Sequence, residues 1–88
     1  MKKFNVDYYV TEGGDECKIV DKLKFSVIAS SNDLSDNFDI FVKKTDVKTQ
    51  PTKHDMTFFL KELKFYTVQD VDDAGDFYIV NVDKCKAK

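Results

Sequence analysis

Residues 56–84, MTFFLKELKFYTVQDVDDAGDFYIVNVDK, constrain this chain more than any other stretch. Two apolar, aromatic-rich runs flank a short acidic segment, Asp72-Asp73-Ala74-Gly75-Asp76. Alternating apolar runs joined by a glycine-bearing turn are the signature of a β-hairpin. Phe77 to Asp83 is dense in β-branched and aromatic residues, which suit a pleated, packed surface. Tyr78, Val80 and Val82 share one face, and Phe77 and Ile79 share the other. A run apolar on both faces predicts a central strand rather than an edge. Its predicted partner runs from Leu63 to Val71. Gly75 supplies the positive φ that the five-residue link requires, and Asp72 and Asp73 close it through side-chain bonds to the backbone.

Upstream, the signals divide. Met56, Phe59, Leu60 and Leu63 recur at helical spacing behind Asp55 as an N-cap, whereas Met56, Phe58 and Leu60 alternate as a strand. The alternation slips near Lys61-Glu62, which predicts a bulge in one long, bent strand over 56–71. A short helix near 55–63 is the competing reading.

The rest of the chain repeats the period of two. Phe4, Val6, Tyr8 and Val10 alternate with Asn5, Asp7, Tyr9 and Thr11, and Gly13-Gly14 marks a hairpin turn. Leu23, Phe25, Val27 and Ala29 face away from Lys22, Lys24 and Ser26. Asp21 breaks the phase set by Cys17 and Ile19, so a bulge is predicted near Val20-Asp21. Phe38, Ile40 and Val42 alternate with Asp39, Phe41 and Lys43. Thr45 to Asp55 has no apolar periodicity and reads as an excursion over the surface, of the kind that is often functional or mobile. The sum is a single domain over 1–88, mainly β: a compact five-stranded antiparallel β-barrel or sandwich with strands near 3–11, 17–30, 38–44, 56–71 and 77–84.

Composition narrows the function. The chain has 88 residues, 42% hydrophobic and 34% charged, enough for a packed core. No apolar run approaches the ~18 residues of a membrane span. Asp7 interrupts any apolar stretch behind Lys2-Lys3, so no signal peptide is expected and the expected compartment is the cytoplasm. All fourteen cationic residues are lysine. Without arginine there is no bidentate fork for guanine, phosphate or carboxylate, which argues against sequence-specific DNA reading.

Asp70, Asp72 and Gly75 match part of a calcium loop, but Ala74 and Asn81 stand where two ligands are needed. Cys17 and Cys85 form no CxxC pair and, with one histidine, no zinc set by the usual spacing. His54 beside Asp55 invites a catalytic reading, yet no nucleophile motif or phosphate loop accompanies it. No catalytic residue, metal or cofactor is therefore predicted, and the chain is read as a non-enzyme.

What remains is binding. Asp70, Asp72, Asp73 and Asp76 form a negative patch suited to a basic partner. Tyr9 and Phe41, facing outward with Lys22, Lys24, Lys43 and Lys44, offer a stacking and cationic surface. The expectation is a small protein-binding module, an inhibitor or adaptor such as viruses or mobile elements encode, acting through the acidic tip or an exposed strand edge. An edge-paired homodimer is a further expectation. An OB-like single-stranded nucleic-acid binder is the alternative, disfavoured by the acidic balance and missing arginine.

Overall fold

The computed structural model describes residues 2–12 and 18–85. Six strands, β1 (Lys2–Glu12), β2 (Lys18–Ala29), β3 (Asn37–Lys43), β4 (Met56–Phe59), β5 (Lys64–Ala74) and β6 (Phe77–Lys84), close into an antiparallel barrel in the order β1-β2-β3-β6-β5-β4. The first three strands follow one another around the wall. The chain then crosses from β3 through a short 3₁₀ turn, Lys44–Asp46, to place β4 beside β1. That return makes a Greek key.

The period-two residues fill the interior. Phe4, Val6, Tyr8, Val27, Ala29, Phe38, Ile40, Val42, Val80 and Val82 are all buried, joined by Phe59, Tyr66 and Val68. Phe59 is the hub of an edge-to-face aromatic cluster, with ring centroids 5.4 Å from Phe4, 5.8 Å from Phe38 and 5.3 Å from Tyr66. Such geometry sets the positive ring edge against the negative ring face.

The mainly β barrel agrees with the sequence reading; its details do not all agree. The fourth predicted strand is two strands. β4 ends at Phe59, and the chain reverses through Leu60–Leu63, with the Leu63 amide donating to the Phe59 carbonyl (2.8 Å) and Leu63 at φ 57°. Neither the bent strand nor the helix near 55–63 forms, because Phe58 pairs with Phe65 and Phe59 with Lys64 across this turn. The count is therefore six strands, not five.

The acidic link is also shorter than predicted. β5 runs through Asp72 and Asp73 to Ala74, leaving only Gly75 and Asp76 between strands. Gly75 has φ 75° and Asp76 stays on the negative side, the pattern of a type II′ turn. A register shift between Val68 and Asp70 leaves Gln69 unpaired. This bulge puts Val71, half-buried against the core, on the same side as Tyr66 and Val68 rather than with Phe65 and Thr67. The bulge expected near Val20 is present: Val10 pairs with Asp21 and Thr11 with Ile19, so Val20 is the extra residue. The Gly13-Gly14 turn and Cys17 lie outside the described residues.

The 47–55 segment is tied down rather than loose. Asp55 is 1% exposed, and its carboxylate accepts hydrogen bonds from the Tyr8 hydroxyl (2.6 Å), the Thr11 amide (2.9 Å), the Thr52 amide (3.0 Å) and both threonine hydroxyls. Pro51 is buried beside it in sequence. The Val68 amide donates to the Asp55 carbonyl (2.8 Å), which joins the same residue to β5. A loop without apolar periodicity is thus held by one buried anion whose lone pairs are filled.

Candidate functional site

The wall of the barrel is uneven. β1 and β2 pair through eleven residue pairs, and β3 and β6 through seven. β2 and β3 pair at only two, Ile28 with Phe41 and Ala29 with Ile40, followed by the Ser30 amide on the Asp39 carbonyl (2.8 Å). Past Phe41, β3 stays with β6 through Lys43 but parts from β2, so toward Lys22 β2 has no strand on this side. In an antiparallel strand alternate residues turn their N–H and C=O to the same side. Ile28 and Ser30 face β3, so Lys24 and Ser26 do as well. Among the described residues no strand pairs with Lys24 or Ser26 on that side. The next position in the series, the Lys22 amide, donates to the Asp21 carboxylate (2.8 Å), a side chain standing in where a strand is missing.

A cleft of about 370 Å³ opens along this seam, lined among others by Lys3, Lys24, Phe25, Val27, Lys43 and Asp46. Ile28, Phe41 and Phe77 line it too, and they also form the floor of an adjoining apolar shelf with Ala74 and Ile79. The shelf is an outcome of register. Phe41 pairs with Ile79 and Ile79 with Asp72, while Lys43 pairs with Phe77 and Phe77 with Ala74. One row outward, Asp39, Asn81 and Asp70 align, with the Asn81 side-chain amide donating to Asp39 (2.9 Å). The surface of β3, β6 and β5 therefore grades from carboxylates to apolar side chains to the lysine-lined seam.

Of the residues singled out in the sequence, Phe41, Asp70 and Asp72 come together on this surface. Asp73 does not. Its carboxylate lies 2.5 Å from Lys44 Nζ, and Lys44 also sits 5.0 Å from the Tyr78 ring. The Lys44 hydrogen bond holds Asp73 below the usual carboxylate value and raises Lys44 in return. Asp76 contributes its backbone carbonyl, which accepts from the Lys44 amide (3.1 Å). Asp73 and Asp76 thus fasten the hairpin tip to the 3₁₀ turn, and the predicted four-carboxylate patch is divided between the outer surface of β5 and a clasp.

Tyr9 lies on the other half of the barrel. Its ring is 6.3 Å from Phe65, which packs 4.4 Å from Phe58, and Lys22 Nζ is 5.7 Å from its centroid. β1, β4 and β5 carry the rings of this cluster, whereas Phe41 is on β3, between β2 and β6. The two aromatics do not form one stacking face. Beside Tyr9 in sequence phase, Asp7 is 5% exposed with one oxygen 3.4 Å from Lys22 Nζ.

His54 is exposed at φ 87°, and the Asp55 carboxylate is saturated by Tyr8, Thr11 and Thr52. Burial and the Asp55 hydrogen bond push the Tyr8 hydroxyl well above the ordinary tyrosine value. Cys85 Sγ lies 2.9 Å from Thr67 Oγ1 at the edge of a broad polar cleft with Asp36, Asn37 and Asp83. Among the described residues no three His, Cys, Asp or Glu side chains converge as a metal site. Among the described residues no helix is long and apolar enough to cross a membrane. The sequence places Phe77 and Ile79 on one strand face but does not single out Ile28; the register of β2, β3 and β6 joins these three to Phe41 on one surface.

Comparison with protein-family models, with curated proteins and with solved structures found no match to this chain.

Proposed function

We propose that this chain is a non-catalytic protein-binding module, of the inhibitor or adaptor kind, that takes an extended partner segment along the β2–β3 seam and over the Phe41 shelf. The observation that carries this reading is the unpaired main chain of Lys24 and Ser26 beside a half-buried apolar shelf. An open strand edge supplies hydrogen bonds to any extended backbone, and neighbouring side chains supply the selection. The acidic pair Asp70 and Asp72 borders the shelf on the side away from the lysines. A cytoplasmic setting belongs to the same reading.

The test uses the immobilised chain and its Phe41→Lys variant against a lysate, with Leu63→Lys as a control on the opposite half. Leu63 is 75% exposed, so its replacement leaves the core intact. A protein retained by the parent and the control but lost with Phe41→Lys supports the reading. Retention that survives Phe41→Lys overturns it. Labelled oligonucleotides at low salt form the second arm: binding there that fades as salt rises favours the single-strand nucleic-acid reading instead.

A further inference from the structure

The seam has a chemical polarity that selects its occupant. Lys3, Lys24 and Lys43 line the cleft with a single carboxylate, Asp46. The described ion pairs use other lysines: Lys22 with Asp7, Lys44 with Asp73 and Lys48 with Asp21. The three cleft lysines therefore face the open edge without carboxylate partners among the described residues. On β2 the side chains alternate as the main chain does. Lys24 and Ser26 point outward, and Phe25 and Val27 point toward the interior.

We infer that the seam binds an acidic extended peptide segment, one whose outward residues are Asp or Glu and whose alternate residues are apolar. This inference rests on the binding-module reading above and names the partner chemistry. A strand added about 4.8 Å from β2 places its outward side chains beside Lys24 and Ser26, within the field of Lys43 and Lys3. Its alternate side chains fall beside Phe25 and Val27. Its backbone meets the N–H and C=O of Lys24 and Ser26, groups that every residue other than proline carries. A second copy of this chain is a poorer occupant. Pairing two copies edge to edge, Lys24 opposite Ser26, gathers Lys24 and Lys43 of both copies in one seam that holds only Asp46 as a carboxylate, and crowded like charges are destabilising.

Two labelled peptides of about six residues test this, long enough for one ordinary strand. One alternates valine with glutamate and the other valine with lysine, each titrated into the full chain while amide shifts are recorded. The glutamate peptide is expected to bind, to shift the Lys24 and Ser26 amides most, and to lose about tenfold in affinity with Lys24→Glu plus Lys43→Glu. Both lysines stand at solvent-facing positions, and the charge-reversed protein is expected to prefer the lysine peptide. Equal binding of both peptides with the same amides shifting overturns the acidic selection but leaves the edge reading standing. No shift at Lys24 or Ser26 with either peptide at millimolar concentration overturns both. The same shifts produced by oligothymidylate, or by raising the protein concentration alone, assign the seam to single-stranded nucleic acid or to a second copy and overturn the inference.

Discussion

Replacing Asp55 by asparagine should cost more than any surface change of equal size. The carboxylate is 1% exposed and accepts through both oxygens. Oδ1 takes the Thr11 amide and both threonine hydroxyls, and Oδ2 takes the Tyr8 hydroxyl and the Thr52 amide. An asparagine keeps the shape but offers one acceptor and one donor group. If its NH₂ replaces Oδ1 it confronts the Thr11 N–H; if it replaces Oδ2 it confronts the Thr52 N–H. Hydroxyls can turn to accept, but a backbone N–H cannot. One amide is left unpaired in either orientation, at about 1–3 kcal/mol, and the surviving bonds lose their charge assistance. The expected loss is about 2–4 kcal/mol, against a total of about 4–13 kcal/mol for a chain of this length. Tyr8→Phe removes one bond to the same anion and should cost about 1.5 kcal/mol. Urea unfolding of both single variants and the double variant gives the comparison, with the double losing less than the sum because the sites share a partner. An Asp55→Asn loss within about 0.5 kcal/mol, the range of an ordinary surface change, would refute the argument.

Further predictions concern the same fold. The raised Tyr8 hydroxyl means the folded state holds its proton above the unfolded value of 10.0. Its contribution is complete below pH 10 and is lost as pH rises beyond it, with a slope of about 1.4 kcal/mol per pH unit. Unfolding midpoints measured from pH 8 to 11.5 should fall less steeply in Tyr8→Phe than in the parent; identical slopes contradict the assignment. Leu63 is exposed at φ 57°, so Leu63→Gly should raise the thermal midpoint by relieving about 1 kcal/mol of left-handed strain, and a lower midpoint would count against the turn. Gly75→Ala meets no atom within 4 Å of its new Cβ, so its cost, about 1 kcal/mol, is the positive φ alone. A loss above about 3 kcal/mol would point to packing that this turn does not have.

How far the sequence could be read depended on whether a feature is local. The inward rows of β1, β3 and β6 were legible because alternation survives as long as one face is buried, and Phe38, Ile40 and Val42 show it without interruption. The bulge at Val20 was legible because Asp21 breaks that alternation in place. The β4–β5 turn was not, since Leu60-Lys61-Glu62-Leu63 contains no glycine, asparagine or proline, and a leucine occupies the left-handed position. The bulge at Gln69 was hidden for another reason: Val71 falls in sequence phase with Phe65 and Thr67, and only its pairing with Val80 shows that it has changed sides. Asp55 looked like a cap because its partners, Tyr8 and Thr11, lie more than forty positions away. The acidic tip was visible as composition, but its division depended on Lys44, which reaches only Asp73. The seam was invisible for the same reason: nothing local announces that β3 parts from β2 before Lys24 and Ser26.

Amide hydrogen exchange along β2 tests the open seam most directly. Leu23, Phe25 and Val27 turn their N–H groups toward β1, while Lys24 and Ser26 turn theirs into the cleft. Slow exchange at the first three and fast exchange at the last two, alternating residue by residue, is the expected pattern. Protection of Lys24 and Ser26 equal to that of Phe25 and Val27 in the free monomer would mean the wall is closed there, and the binding edge would not exist.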